Sequence, residues 1–248
     1  MLQPTVFPFV RLLRAATLVA SLAALAPAAH AGSFSANPVR LSLPAGATTT
    51  SLVLENKGDQ PVTVQTSTAA WTQDGGKDVL TSTQDLVVSP PIFRIAPGAT
   101  QTVRVGLMRA PDPSRELTYR LFLQEVPPPP EPGQQAVSVA LQLALPVFVQ
   151  PPGPTRATPK LIWAAKPADG DALELSLANE GTAHVQLVDA KLAADDGTVV
   201  AELTPRAYVL PGQAQSWRIK PFRSWGGESL KVVARTSGGD VTGRIPGR

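Results

Sequence analysis

The chain has 248 residues, with 22 lysines and arginines against 19 acids for a net charge of +3, and it contains 26 prolines, 19 glycines and no cysteine. Arg11 and Arg14 lie in an N-terminal segment without acids, so the rest of the chain holds 20 basic against 19 acidic residues, a net charge of +1. That balance, without any basic run interleaved with aromatics, excludes an ordinary nucleic-acid surface, and the absence of cysteine excludes a disulfide framework.

Residues 1–31 join the two arginines to an apolar run over 15–26 and a small-residue cleavage site, Ala29-His30-Ala31. This is the pattern of a secretory signal peptide, and the run is too short to span a bilayer. Export is therefore expected, with no membrane insertion once the signal is removed. The remaining 217 residues suffice for two domains of roughly 100 residues each. The expected boundaries are 32–151 and 152–248, with Pro151-Pro152-Gly153-Pro154 as the hinge.

From residue 41 onward, short segments rich in Val, Leu and Thr (41–43, 51–54, 62–67, 102–107, 119–125) alternate with Pro and Gly punctuation. The spacing predicts an all-β sandwich architecture without amphipathic helices. Residues 137–149 (VSVALQLALPVFV) stand out, because every odd position is aliphatic while the even positions 138–144 are small or polar. As one strand this segment would run to roughly 40 Å, about twice the usual length. Its odd face either covers the chain's own core or seeks a partner outside it. Pro146 has no N–H to donate, which predicts a place at or near a sheet edge.

An internal echo divides the chain. Leu54-Glu55-Asn56-Lys57-Gly58 is followed by a strand, as is Leu177-Ala178-Asn179-Glu180-Gly181. Later in each half a proline-glycine turn precedes a strand, at Pro97-Gly98 and at Pro211-Gly212. Two copies of one fold are expected. Each Asn-x-Gly taken alone predicts only a hairpin.

Little in the chain points to catalysis. His184 is the one histidine after residue 31, and no nucleophile-elbow motif accompanies it, so a surface or packing role is the simpler reading. Neither clustered His and Cys ligands nor a spaced acidic loop occurs, and Asp195-Asp196-Gly197 reads as a hairpin turn. Gly75-Gly76, Gly226-Gly227 and Gly238-Gly239 lack the strand-to-helix setting of a phosphate loop. No metal, no cofactor and no enzymatic activity are expected. Two alternatives stay open: an adhesion or carbohydrate-binding module presenting Trp71, Trp163, Trp217 or Trp225, and an exported hydrolase using His184.

Four blocks in order carry a family resemblance: Asn37-Pro38-Val39-Arg40-Leu41, residues 89–98 (SPPIFRIAPG), Arg115-Glu116 through Glu125-Val126-Pro127-Pro128, and residues 137–151. The chain resembles the periplasmic chaperones of the chaperone/usher pathway (PapD-like). The resemblance implies two tandem immunoglobulin-like β-sandwich domains in a boomerang arrangement. It implies capture of a pilus subunit by β-strand addition, with Val137, Val139, Leu141 and Leu143 as the inserting residues, and delivery to an outer-membrane usher. The aliphatic edge strand itself leads to the expectation that the free protein self-associates, caps its strand internally or is prone to aggregation.

The same resemblance makes Arg40 an anchor for the subunit's terminal carboxylate. The usual second anchor, a lysine, aligns with Pro146, which is similar to a divergent, archaic or spore-coat-like branch. Arg120, on a neighbouring predicted strand, is the candidate replacement, the alternative being a solvent-facing strand arginine. Glu116 matches a hinge-side glutamate whose usual arginine partner is Gln150 here, so the interdomain salt bridge is expected to be missing. Phe122 and Ser224 also depart from the family's pattern.

Overall fold

The computed structural model describes residues 34–128, 139–154 and 156–247. The expected signal segment, Val137 and the proline-rich approach to the long strand lie outside them. The first ten strands are β1 (Phe34–Asn37), β2 (Leu41–Leu43), β3 (Thr49–Asn56), β4 (Val62–Asp74), β5 (Lys77–Ser82), β6 (Leu86–Ser89), β7 (Ile92–Ile95), β8 (Thr100–Leu107), β9 (Leu117–Glu125) and β10 (Gln142–Val149). They form one sheet in the order β1-β3-β8-β6 and a second in the order β2-β10-β9-β4-β5, with β7 also on β4. Eight more strands follow: β11 (Leu161–Ala168), β12 (Ala172–Asn179), β13 (Val185–Ala194), β14 (Val199–Leu203), β15 (Ala207–Val209), β16 (Ala214–Ile219), β17 (Leu230–Thr236) and β18 (Gly239–Ile245). These give β11-β12-β16 facing β14-β13-β17-β18, with β15 on β13.

Alternation builds both sandwiches. In β3 and β8 the same inward period of two buries Leu52, Leu54, Val103 and Val105, and in β17 it buries Leu230, Val232 and Ala234. Each pair of sheets encloses its own core, one centred on Leu41, Leu54, Val105 and Leu121, the other on Leu175, Leu187, Val200 and Val232. The fold is all-β, as expected.

The sequence echo turns out to be more than a pair of hairpins. Asn56 is fully buried and donates from Nδ2 to the carbonyls of Gln60 (2.7 Å) and Ile95 (3.1 Å), while its Oδ1 accepts from Gly58 N–H at 2.9 Å. Asn179 repeats this with Ala183 (2.8 Å), Val209 (3.1 Å) and Gly181 (3.0 Å). In both halves the asparagine carbonyl accepts from the glycine of the Pro-Gly turn, Gly98 or Gly212, whose positive φ of 68° or 74° suits glycine alone. One buried amide thus ties a loop, a strand end and a distant turn together in each sandwich. Buried amides need such partners.

The long apolar segment departs from its expectation. Its regular strand begins at Gln142, and the exposed Val139 and Ala140 precede it. It is also not simply an edge strand. β2 joins it in parallel over Val147–Val149, and β9 pairs it along its whole length, so only the flank from Gln142 to Pro146 is open. Pro146 stands just before β2 joins, which is where a residue without an N–H can sit in an interior strand.

Candidate functional site

Register places three residues in a row. Leu41 pairs with Val147, so Arg40 lies one step earlier, at the level of Pro146, and Pro146 pairs with Arg120 on β9. Leu41 and Leu43 point into the core, which sends Arg40 and Ser42 to the opposite side, the side shared by Pro146, Phe148 and Arg120. Neighbouring strands are about 4.8 Å apart, so two long guanidinium side chains flanking a proline can converge above its ring.

The aromatic ground beneath them is built from both sandwiches. Trp71 and Phe148 of the first and Leu210 of the second are buried together, with Tyr208 packed against them. Arg120 lies with Cζ 3.7 Å from the Trp71 ring centroid and 5.7 Å from that of Tyr208, and only 15% of its side chain is exposed. It is therefore not the solvent-facing strand arginine of the alternative reading. Its Nη2 meets Asp78 Oδ2 at 3.4 Å. Burial pushes the Tyr208 phenol above its ordinary pKa, and the neighbouring Arg40 and Arg120 guanidiniums pull it back. Arg40 itself is exposed and, with Ser42, Phe148, Gln150, Arg156 and His184, borders an interdomain cleft of about 500 Å³.

Glu116, just before β9, organises the hinge. Its side chain is fully buried, yet one oxygen accepts from Gln150 Nε2 (2.6 Å) and the other from both the His184 backbone N–H (2.9 Å) and His184 Nδ1 (2.6 Å). The His184 ring stacks on Phe148 with centroids 3.5 Å apart and an interplanar angle of 5°. Gln150 and His184 thus take up the carboxylate that lacks its expected arginine. His184 precedes β13, and its role is interdomain packing. A second tie runs through Gln73, whose Nε2 donates to the Tyr208 carbonyl and to Asp78 Oδ1 and whose Oε1 accepts from Leu210 N–H, all at 3.0 Å.

The strand residues form a gradient. Val139 is 69% exposed, Leu141 and Leu143 are half-buried against the first core, and Leu145, Val147 and Val149 belong to that core. Glu125 holds the start of the segment: its N–H donates to the Leu141 carbonyl at 2.9 Å and its Oε2 accepts from Leu141 N–H at 3.0 Å. The tryptophans give no exposed platform. Trp71 and Trp163 are buried, and Trp217 and Trp225 pack against the second core.

Sequence reasoning named Arg40, Arg120 and Glu116 but missed Tyr208, Gln73, Asp78 and the part of His184. Alternation carries some of that signal: Ala69, Trp71 and Gln73 share the face of Arg120, as do Pro146 and Phe148.

Residues 33–155 match the family described as pili and flagellar-assembly chaperone, PapD N-terminal domain. The chain is 34% identical over 166 residues to the chaperone protein FimB/FhaD of Bordetella pertussis, a match taking in 62% of this chain and 66% of that protein. It therefore spans just under two thirds of that relative's length. Among solved structures, a chain of the CsuC–CsuE chaperone–tip adhesion subunit pre-assembly complex from the archaic Csu pili of Acinetobacter baumannii shares the fold at a TM-score of 0.64 and 22% identity, covering 86% of this chain and 98% of that one. A chain of the Salmonella enterica SafA pilin–SafB chaperone complex gives 0.60 at 18% identity (88% and 97% covered), and the E. coli chaperone DraB gives 0.58 at 18% (88% and 100%).

Proposed function

The chain belongs to the PapD-type pili and flagellar-assembly chaperones, and from that membership together with the arginine row on one face of its first sandwich we propose that it is a periplasmic, non-enzymatic chaperone that captures a pilus subunit and hands it to an outer-membrane usher. The observation that carries the reading is the row Arg40–Pro146–Arg120 on the cleft side of one sheet. Guanidinium groups suit a carboxylate through paired hydrogen bonds, so the row is read as the seat of the subunit's C-terminus. An extended subunit segment then adds along the open flank of β10, and Val139, Leu141 and Leu143 enter the subunit's groove together with Val137. Each aliphatic side chain so buried contributes about 1.5–3 kcal/mol, enough for three or four to outweigh an association cost of several kcal/mol.

The domain division at 151/152 is part of the proposal, supported by the two separate cores. Co-expression with signal sequences intact, alongside a pilin-like protein encoded next to this gene, tests the reading. A soluble one-to-one complex in the periplasmic fraction is expected, with self-association or aggregation of the chaperone when the subunit is withheld. A monomer that binds no co-transcribed exported protein overturns it.

A further inference from the structure

Asp78 is the ion-pair partner of Arg120. It stands on β5, the outermost strand of its sheet, and reaches across to Nη2 of Arg120 at 3.4 Å. Arg120 has little room to move: Trp71 lies under its guanidinium, Tyr208 lies beside it, and most of its side chain is out of solvent. Asp78 is better hydrated, with 45% of its side chain exposed, and its second oxygen accepts from Gln73 Nε2 at 3.0 Å. Gln73 is in turn fixed by Tyr208 and Leu210 of the second sandwich.

We propose that Asp78 is a resident counter-ion of Arg120, holding the position that a peptide's terminal carboxylate takes when the cleft fills, and that it thereby limits how tightly the cleft holds its cargo. The inference rests on the reading of the Arg40–Arg120 row as a carboxylate seat. Three observations carry it. The contact to Arg120 is long beside the roughly 2.7–2.9 Å of a well-made charge-assisted bond, and longer than Asp78's 3.0 Å bond to Gln73. Gln73 keeps Asp78 in a fixed resting place after Arg120 is released. Pro146, opposite Arg120, supplies no cation on its own strand, so an anion arriving at Arg120 competes with Asp78 for the same guanidinium. A chaperone must release its cargo, and a built-in competitor for the anchor favours release.

The test uses the purified protein and a short synthetic peptide of alternating valine and serine, once with a free C-terminal carboxylate and once amidated. Asp78→Asn keeps the acceptor for Gln73 and removes the charge. It is expected to bind the free-carboxylate peptide about three- to fivefold more tightly than wild type, the scale of an exposed ion pair, and the amidated peptide equally. Asp78→Ser, which removes the long acceptor as well, should behave alike. Unchanged or weaker preference for the carboxylate form in both variants, with wild type still discriminating, overturns this inference alone and makes Asp78 a positioning partner. If wild type binds the two peptides equally, the carboxylate seat itself is wrong and this inference falls with it.

Discussion

Pro146 and Arg120 are register partners across β10 and β9. A residue without charge or donor on the central strand therefore faces an arginine on the strand behind it, and Arg40 flanks the pair from the other side. Arg120 thus stands level with Pro146 and has Trp71 as a floor. A planar guanidinium stacked in this way is held more rigidly than a lysine ammonium.

Arg40→Ala is expected to leave thermal stability within about 0.5 kcal/mol of wild type, because the side chain is exposed. Subunit capture should weaken about tenfold or more, since losing a charge-assisted contact costs about 1.5–3 kcal/mol. Arg120→Ala should weaken capture likewise and cost a further ~1 kcal/mol of stability through the lost contact with Trp71. Co-purification of the subunit alongside melting curves separates the two effects. Wild-type capture by Arg40→Ala would remove it from the anchor.

At the hinge, His184→Ala removes both a stacked ring and one donor from a fully buried carboxylate. Breaking such a pair on one side costs on the order of 3 kcal/mol. The two sandwiches are expected to unfold in separate, earlier transitions, and X-ray scattering should report a wider distribution of interdomain angles. Glu116→Gln replaces one acceptor oxygen with an amide N–H donor that faces the existing donors of Gln150 or His184, and should act in the same direction, by about 1–3 kcal/mol. A single transition at wild-type denaturant concentration in both variants would show that the hinge holds without this cluster.

How much of this was legible from residues alone varies with the kind of signal. Period-two alternation exposed the strands, and the ordered echo of Asn56 and Asn179 exposed the duplication, because both are local and repetitive. The aliphatic run 137–149 was legible as apolar but not as graded. Burial along it changes from Val139 to Leu145 as the strand enters the sandwich, a property of neighbours that sequence does not carry. His184 and Tyr208 were opaque for the same reason: their partners Glu116, Trp71 and Phe148 lie on the other sandwich, and nothing in their own sequence context marks an interface.

The two buried asparagines allow a matched experiment. Asn56→Ala or Asn179→Ala strands two carbonyls and one glycine N–H, with the Lys160 N–H as well for Asn179→Ala, and each is expected to cost about 2–4 kcal/mol. Each acts in its own sandwich. In the His184→Ala background, where the sandwiches are uncoupled, chemical denaturation followed through Trp71 for Asn56→Ala and through Trp163 for Asn179→Ala should show the loss confined to the mutated half, and equal losses in both halves from a single change would mean that the sandwiches still unfold as one unit.

The strand gradient gives the most direct separation of self-packing from donation. Leu145 is inside the first core, so Leu145→Asp buries an uncompensated charge and should collapse the sandwich, by more than about 4 kcal/mol. Val139 is 69% exposed, so Val139→Asp should leave the melting of the free protein unchanged. If Val139 enters a subunit groove, the same change places a charge in that groove, and capture should fail while the chaperone alone stays folded and becomes more soluble. Leu141 sits between these limits, half-buried with its backbone held by Glu125, so Leu141→Asp is expected to cost about 1–2 kcal/mol in the free protein and to abolish capture as well. Ala140 is exposed and precedes the regular strand, so Ala140→Phe does not overpack the core and serves only as a control for added bulk on the segment. Melting of the free protein and subunit pull-down across Val139→Asp, Leu141→Asp and Leu145→Asp should move in opposite orders of diagnostic value: stability lost progressively toward Leu145, capture already lost at Val139. Capture intact in Val139→Asp would remove that residue from the donated set and move the start of the donated face to Leu141.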